Sequence, residues 1–309
     1  MNEVSNENRF LHAVEMGLGA WQWGDRVVWG YQPGESDKGI RESFDVSLNL
    51  GVRFIDTAEV YGSGRSERLL GQFIKETDQP VLVATKFFPW PWRFSKGFIP
   101  RALKASLERM GLDSVDLYQV HWPSPIMSPE TLMEGMAECV KEGLTRTVGV
   151  SNFGKRVCCA HILHWLKGIS LASNQLPFSL LKRDAEKNGA LARCKELGIR
   201  FIAYSPLAQG LLTGKYSIEN PPPGVRGSNY AELLKKLPPV IKTLQEIAQT
   251  HGKTVSQVAL NWTICKGALP IPGAKNARQA EDNAGGASWR MTEDEVARLD
   301  EVTDHIREY

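Results

Sequence analysis

The chain has no strong excess of charge. Its 309 residues carry 37 Lys and Arg against 35 Asp and Glu, a formal net charge of +2. That balance gives no electrostatic footing for nucleic acid or for an anionic membrane surface. No apolar run approaches the roughly 20 residues needed to cross a bilayer. The opening stretch, MNEVSNENRF, lacks the apolar core of a secretion signal. Cysteine is sparse and odd in number, at Cys139, Cys158, Cys159, Cys194 and Cys265, with no Cys-x-x-Cys pair. Neither a disulfide framework nor a zinc site is indicated, no metal is expected, and a reducing, cytoplasmic compartment is the default. The one Asn-x-Thr sequence, Asn261-Trp262-Thr263, sits in an apolar helical stretch and reads as chance rather than as a glycan site. No linker, low-complexity tract or clear repeat divides the chain, so residues 1–309 read as one domain.

What is present is a rhythm. Short β-rich runs recur at 15–21, 52–58, 81–87, 114–122, 145–153, 170–176, 200–206 and 268–273. Helix-period segments such as IRESFDVSLNLG, SERLLGQFIKE, IPRALKASLERMG and PETLMEGMAECVKEG lie between them. Gly51, Gly111, Gly143 and Gly198 stand just past expected helix ends, where left-handed backbone is wanted. Strands alternating with helices at roughly 30-residue spacing imply βαβ units and a parallel sheet. Eight units favour a closed (β/α)8 TIM barrel, and 42% hydrophobic residues suffice for its core. The rival, a doubly wound dinucleotide fold, would need Gly-x-Gly-x-x-Gly after the first strand. Gly17 and Gly19 begin that pattern, but Gln22 stands where the third glycine belongs. The exceptional interval is about 206–268, whose long loop after the seventh strand suggests a lid or binding loop.

In such a barrel, chemistry gathers at the carboxyl ends of the strands. Asp56 ends the second expected strand, Lys86 the third and His121 the fourth. Ser151 and Asn152 end the fifth, Asn174 and Gln175 the sixth, Tyr204 and Ser205 the seventh. Tyr61, in the loop FIDTAEVYGSGRSERLLG, can reach over the same mouth. Each alone has an ordinary explanation: a cap, a surface lysine, a structural histidine, a packed phenol. Together they make an acid–base set. A lysine ammonium lowers the pKa of a neighbouring phenol, a carboxylate keeps the lysine charged, and a histidine orients a carbonyl. Such a set delivers a proton but no hydride, so a reduction needs a cofactor.

The blocks GLGAW (17–21), FIDTAEVYGSGRSERLLG (54–71), ATK (84–86), DLYQVHWP (116–123), VGVSNF (148–153), SNQLPFS (173–179), AYSPLAQGLLTGKY (203–216) and IPGAKNARQAEDN (271–283) resemble the aldo-keto reductase superfamily over nearly the whole chain. The branch it looks most like contains bacterial and plant proteins related to the potassium-channel β-subunits. The resemblance implies NADPH-dependent reduction of aldehydes and ketones, with a tetrad of Asp56, Tyr61, Lys86 and His121 and Tyr61 as proton donor. It also implies NADP(H) lying extended across the barrel mouth. Ser151, Asn152 and Gln175 would then hold the nicotinamide carboxamide and Tyr204 would stack on the ring. Ser205, Leu207, Gln209, Gly210 and Lys215 would follow the pyrophosphate. Gly273, Lys275, Gln279 and Asn283 would surround the 2′-phosphate and adenine, with Arg278 as a neighbouring cation.

Tryptophans cluster near the expected strand ends. Trp23, Trp90 and Trp122 are candidates for an aromatic substrate pocket, with Trp21 and Trp92 nearby. Aliphatic and aromatic aldehydes, dicarbonyls such as methylglyoxal, and pyridoxal all suit it. Two other functions fit less of the sequence: a slow cofactor-binding regulator, and a Schiff-base lyase using Lys86. The expected partner is a small carbonyl compound, with no nucleic acid or membrane, and the expected state is a monomer or weak homo-oligomer.

Overall fold

A computed structural model describes residues 8–154, 166 and 168–306. Cys158, Cys159 and the start and end of the chain lie outside the described residues. Eight strands follow one another in sequence order: β1 (Gly17–Gly19), β2 (Phe54–Asp56), β3 (Leu82–Phe87), β4 (Val115–Val120), β5 (Thr145–Ser151), β6 (Leu171–Pro177), β7 (Arg200–Tyr204) and β8 (Leu269–Pro270). All seven neighbour pairings are parallel. A parallel bridge between Gly19 and Gly273, with Gly19 N–H donating to Pro272 O at 3.0 Å, joins the last strand to the first and closes the barrel. Glycine is required there, since a Cβ on Gly19 would lie 2.7 Å from Ile271 O.

The strand period of two builds the site. Phe54, Ala84, Leu117, Ala172, Ile202 and Leu269 form an apolar floor inside the barrel, joined by Leu11 from the short helix Arg9–His12. Two residues further along the same inner faces come Asp56, Lys86, Gln119 and Tyr204. The alternate residues, such as Ile55, Tyr118, Val148, Val150, Phe201 and Ala203, pack outward in the larger core under the helices. On β6 a register irregularity opposite Val148 and Gly149 shifts the phase after Ala172. Ser173 and Gln175 therefore face inward, while Asn174 turns away and donates to Phe153 O at 3.0 Å.

The expected helices are present at Glu35–Asn49, Arg65–Lys75, Phe98–Met110 and Pro129–Lys141, and positive φ is found at Gly51, Gly111, Gly143 and Gly198. The long interval after β7 is not bare loop. It holds a 3-10 segment, Ala208–Thr213, and a short helix, Val225–Asn229, before the long helix Ala231–His251. Asn261, on the helix Val255–Cys265, is fully buried. It donates to Gly286 O and Trp289 O and accepts from Met291 N–H, so it clips the C-terminal loop to the barrel wall. Among the described residues no helix is long and apolar enough to cross a membrane, and no cluster of potential metal ligands occurs.

Candidate active site

Lys86 is fully buried at the carboxyl end of β3 and forms an ion pair with Asp56. Its ammonium also donates to Thr57 O at 2.8 Å and to the Tyr61 hydroxyl at 3.4 Å. Asp56 Oδ2 accepts from the side-chain amides of Gln175 at 2.8 Å and Gln119 at 3.2 Å. Ser173 Oγ donates in turn to Gln119 Oε1. Burying an ion pair is costly unless further hydrogen bonds satisfy it. Here β3, β4 and β6 all supply partners to the carboxylate at the end of β2 or to its neighbours.

Tyr61 opens a turn, Tyr61–Gly64, in which Gly62, Ser63 and Gly64 have φ of 55°, 53° and 81°. Ser66 holds that turn by donating to Ala20 O at 3.0 Å and by its hydroxyl contact with Thr57 at 2.8 Å. Behind it the buried Glu67 accepts from Thr85 at 2.7 Å and from Arg109 at 2.6 Å. The ring of His121 meets Tyr61 edge-on at 5.7 Å and Phe88 at the same distance.

Burial, with Lys86 next in effect, lowers the His121 pKa from 6.5 to about 3, so the imidazole is neutral at working pH. Burial also lowers the Lys86 pKa, against the opposing pull of Asp56. The phenol departs from expectation. The sequence suggested a pKa lowered by lysine, but burial and the Asp56 charge raise that of Tyr61 well above the usual value. Tyr61 is therefore held protonated, the form that can give a proton away.

The cleft over this group has a volume of about 1360 Å³ and extends to Asn283 beyond β8. That exceeds the ~300–1,000 Å³ typical of pockets for drug-sized ligands. Every expected cofactor position lines it: Ser151, Asn152, Gln175, Tyr204, Ser205, Leu207, Gln209, Gly210, Lys215, Gly273, Lys275, Gln279 and Asn283. Arg278 does as well. Several side chains are already engaged with protein. Gln175 spends an amide hydrogen on Asp56. Asn152, at φ 64°, donates to His121 O at 2.9 Å and accepts from Tyr204 at 3.0 Å. Gln279 accepts from Lys275 N–H, and Asn283 donates to Gly273 O. Ser205, Ala208 and Gln209 also have positive φ, a concentration of strained non-glycine backbone on one rim.

The tryptophans divide. Trp122 lines the cleft, as does Trp21. Trp23 does not, which corrects its place in the substrate pocket: it is fully buried and packs on Phe44 and Phe73 beneath the helices. Trp90 lies outside the cleft wall, stacked on Trp92 at 5.0 Å and touching Phe88 at 4.5 Å. The cleft also contains residues for which the strand-end pattern gave no signal: Gln22, Trp29, Arg226, Thr254, Ser256 and Gln257.

Lys215, Arg226 and Lys275 make one end of the cleft cationic. Burial lowers the Lys275 pKa, and Arg226 and Lys215 lower it further. Among the described residues none of the three has a carboxylate at ion-pair distance, and Gln22 Oε1, Trp29 Nε1 and Arg226 Nε are buried without partners. A phosphate-bearing group suits the three cations, while Gln22 Oε1 is an acceptor and needs a donor instead.

A protonated phenol and a buried lysine–aspartate pair thus share one barrel mouth with a large cleft whose far end is cationic, an arrangement suited to an oxidoreductase. The chain belongs to the aldo/keto reductase family, whose model matches residues 15–304. It is 42% identical over 304 residues to the chloroplastic pyridoxal reductase of Arabidopsis thaliana, covering 94% of this chain and 83% of that one. It is similar to the crystal structure of the thermostable aldo-keto reductase Tm1743 with the inhibitor epalrestat. That match has a TM-score of 0.78 and 29% identity and covers 93% and 94% of the two chains. An aldo/keto reductase from Klebsiella pneumoniae in complex with NADP and acetate matches with a TM-score of 0.73 and 26% identity, over 94% and 91% of the chains.

Proposed function

We propose that the protein reduces aldehydes and ketones to alcohols with NADPH, and that Tyr61 gives the proton. NADPH, when bound, supplies the hydride. The observation that carries the reading is the Tyr61 hydroxyl 3.4 Å from the Lys86 ammonium, with the neutral His121 edge-on beside it. As charge grows on the carbonyl oxygen, Tyr61 passes its proton to that oxygen and becomes phenolate. Lys86, held by Asp56, faces the phenolate and stabilises it until water restores the proton. His121 offers the carbonyl oxygen a hydrogen bond without adding a charge. Lys215, Arg226 and Lys275 take the phosphates, which favours NADPH over NADH.

The substrate class we propose is a flat aromatic aldehyde such as pyridoxal. Trp21, Trp122 and Tyr204 wall the mouth, and the 42% identical relative is named a pyridoxal reductase. The test is NADPH consumption over a panel of pyridoxal, benzaldehydes, aliphatic aldehydes and methylglyoxal, with NADH in parallel. Turnover of pyridoxal and benzaldehydes above the aliphatic compounds is expected. No consumption with any carbonyl would overturn the reading.

A further inference from the structure

The helix Arg65–Lys75 starts directly after the turn that carries Tyr61, and its first side chains grip the strands behind the proton-handling group. Ser66 bonds to Thr57, the neighbour of Asp56, and Glu67 accepts from Thr85, the neighbour of Lys86. Thr57 O in turn accepts from the Lys86 ammonium. An acidic residue in the first turn of a helix is common, because it faces the positive end of the dipole. Glu67, however, has no exposure, and its two oxygens go to different elements. Oε1 accepts from Thr85 on β3 at 2.7 Å, and Oε2 from Arg109 Nε on the helix Phe98–Met110 at 2.6 Å. Arg109 also lies against the turn of Tyr61, where a Cβ on Gly64 would meet its Cδ at 2.7 Å.

A carboxylate in this place acts on Lys86 in two ways. Thr85 and Lys86 are consecutive on β3 and point to opposite faces, so fixing Thr85 outward fixes the ammonium inward, toward Tyr61. The charge acts as well. The ammonium is faced by Asp56 from β2, Tyr61 from the turn, His121 after β4 and, from the outer side of its own strand, Glu67. Burial works against the charged form of Lys86, and Asp56 and then Glu67 support it. Asp56 also serves Gln119 and Gln175, whereas Glu67 is tied to the helices. We propose that Glu67 is a positioning residue for proton transfer, holding Lys86 both in place and in its charged form from the outer face of β3. Glu67 does not line the cleft, so it acts only through Lys86. The proposal rests on the carbonyl-reductase reading, in which that ammonium stabilises the Tyr61 phenolate.

The direct readout needs no cofactor. Carbon NMR of the lysine Cε, with Lys86→Met identifying the signal, gives the pH at which Lys86 loses its proton. Glu67→Gln should lower that pH by about one unit, the effect of removing a nearby charge in a protein interior. Arg109→Met breaks the same ion pair but leaves the carboxylate, so it should raise that pH or leave it unchanged. Glu67→Asp keeps the charge and should stay nearer wild type than Glu67→Gln. Single-turnover NADPH oxidation with benzaldehyde should follow the titration: its alkaline fall moves to lower pH in Glu67→Gln and not in Arg109→Met. A pair that only braces the fold would cost denaturant stability in both variants and treat Lys86 alike in both. A Lys86 titration unchanged in Glu67→Gln, or lowered equally in the two variants, would overturn the proposal while leaving the reductase reading standing. If Glu67→Gln does not fold, Arg109→Met decides, and a lowered Lys86 titration there overturns the proposal. A wild-type protein that oxidises NADPH with no carbonyl would overturn the reductase reading and the role in proton transfer together.

Discussion

Lys86 and Asp56 form an ion pair in which the lysine side chain has no exposure and the aspartate 3%. The carboxylate is further bonded by Gln119 and Gln175, and the ammonium by Thr57 O. Removing one partner from such a pair strands a buried charge, whereas removing both need not. Asp56→Asn should lose about 3–5 kcal/mol of stability by denaturant unfolding. The double variant Asp56→Asn, Lys86→Met should recover a substantial part of it. A double variant less stable than Asp56→Asn alone would mean the pair is not the source of the loss.

Tyr61→Phe removes the hydroxyl and little else. Loss of a positioned acid typically costs about 10²–10⁴-fold in rate. We expect that loss in single-turnover reduction, with NADPH affinity within about twofold of wild type on the same principle that binding and proton transfer are separate terms. Near wild-type turnover would remove Tyr61 from the mechanism.

His121 gives a pH signature. Its pKa falls from 6.5 to about 3 on folding, so below pH 6.5 the unfolded chain binds a proton that the folded chain refuses. The stability this contributes is complete above 6.5 and is lost as pH falls toward 3. Between pH 7.5 and pH 5, wild type should lose about 2 kcal/mol more than His121→Gln does. Parallel stability curves for the two proteins would show that the imidazole is not held neutral.

The rim from 207 to 230 combines positive φ at Ala208, Gln209 and Gly210 with Arg226 on its short helix. Strained segments of this kind are often gates, and their opening limits product release in many enzymes. Hydrogen exchange should slow across 207–230 at saturating NADP+. Identical exchange with and without the nucleotide would make this segment a static insertion.

Much of this was legible in the sequence because strands carry a period of two, which β6 alone breaks after Ala172 among the residues that build the site. Phe54 and Asp56, and Ala84 and Lys86, are two apart, so an apolar floor forces the next inward residue to the mouth; Gln119 has the same spacing after Leu117 but lies short of the strand end, so the strand-end pattern did not mark it. Loops carry no such period. Trp21 and Trp23 are also two apart, yet one lines the cleft and the other is core. The meeting of Trp29 with Arg226 depends on two loops that sequence spacing does not relate. The Tyr61 pKa runs against the sequence expectation for a different reason. Proximity to lysine can be read from the tetrad, but the depth of burial that outweighs it cannot.

The hydrogen bond from Gln175 to Asp56 spans 119 residues of sequence. Asp56 also draws on β3 and β4, so the four proton-handling groups come from the first half of the chain while the bonds that hold Asp56 reach the second half through Gln175. A folding intermediate with only its first strands paired would bring Asp56, Tyr61 and Lys86 together but would lack the Gln175 bond and the cleft wall formed by residues 204–283. Contacts this distant form late, after loop-closure entropy has been met. During refolding, helical signal should return first and reductase activity last, so that catalysis serves as a clock for the final closure of the ring between Gly19 and Gly273.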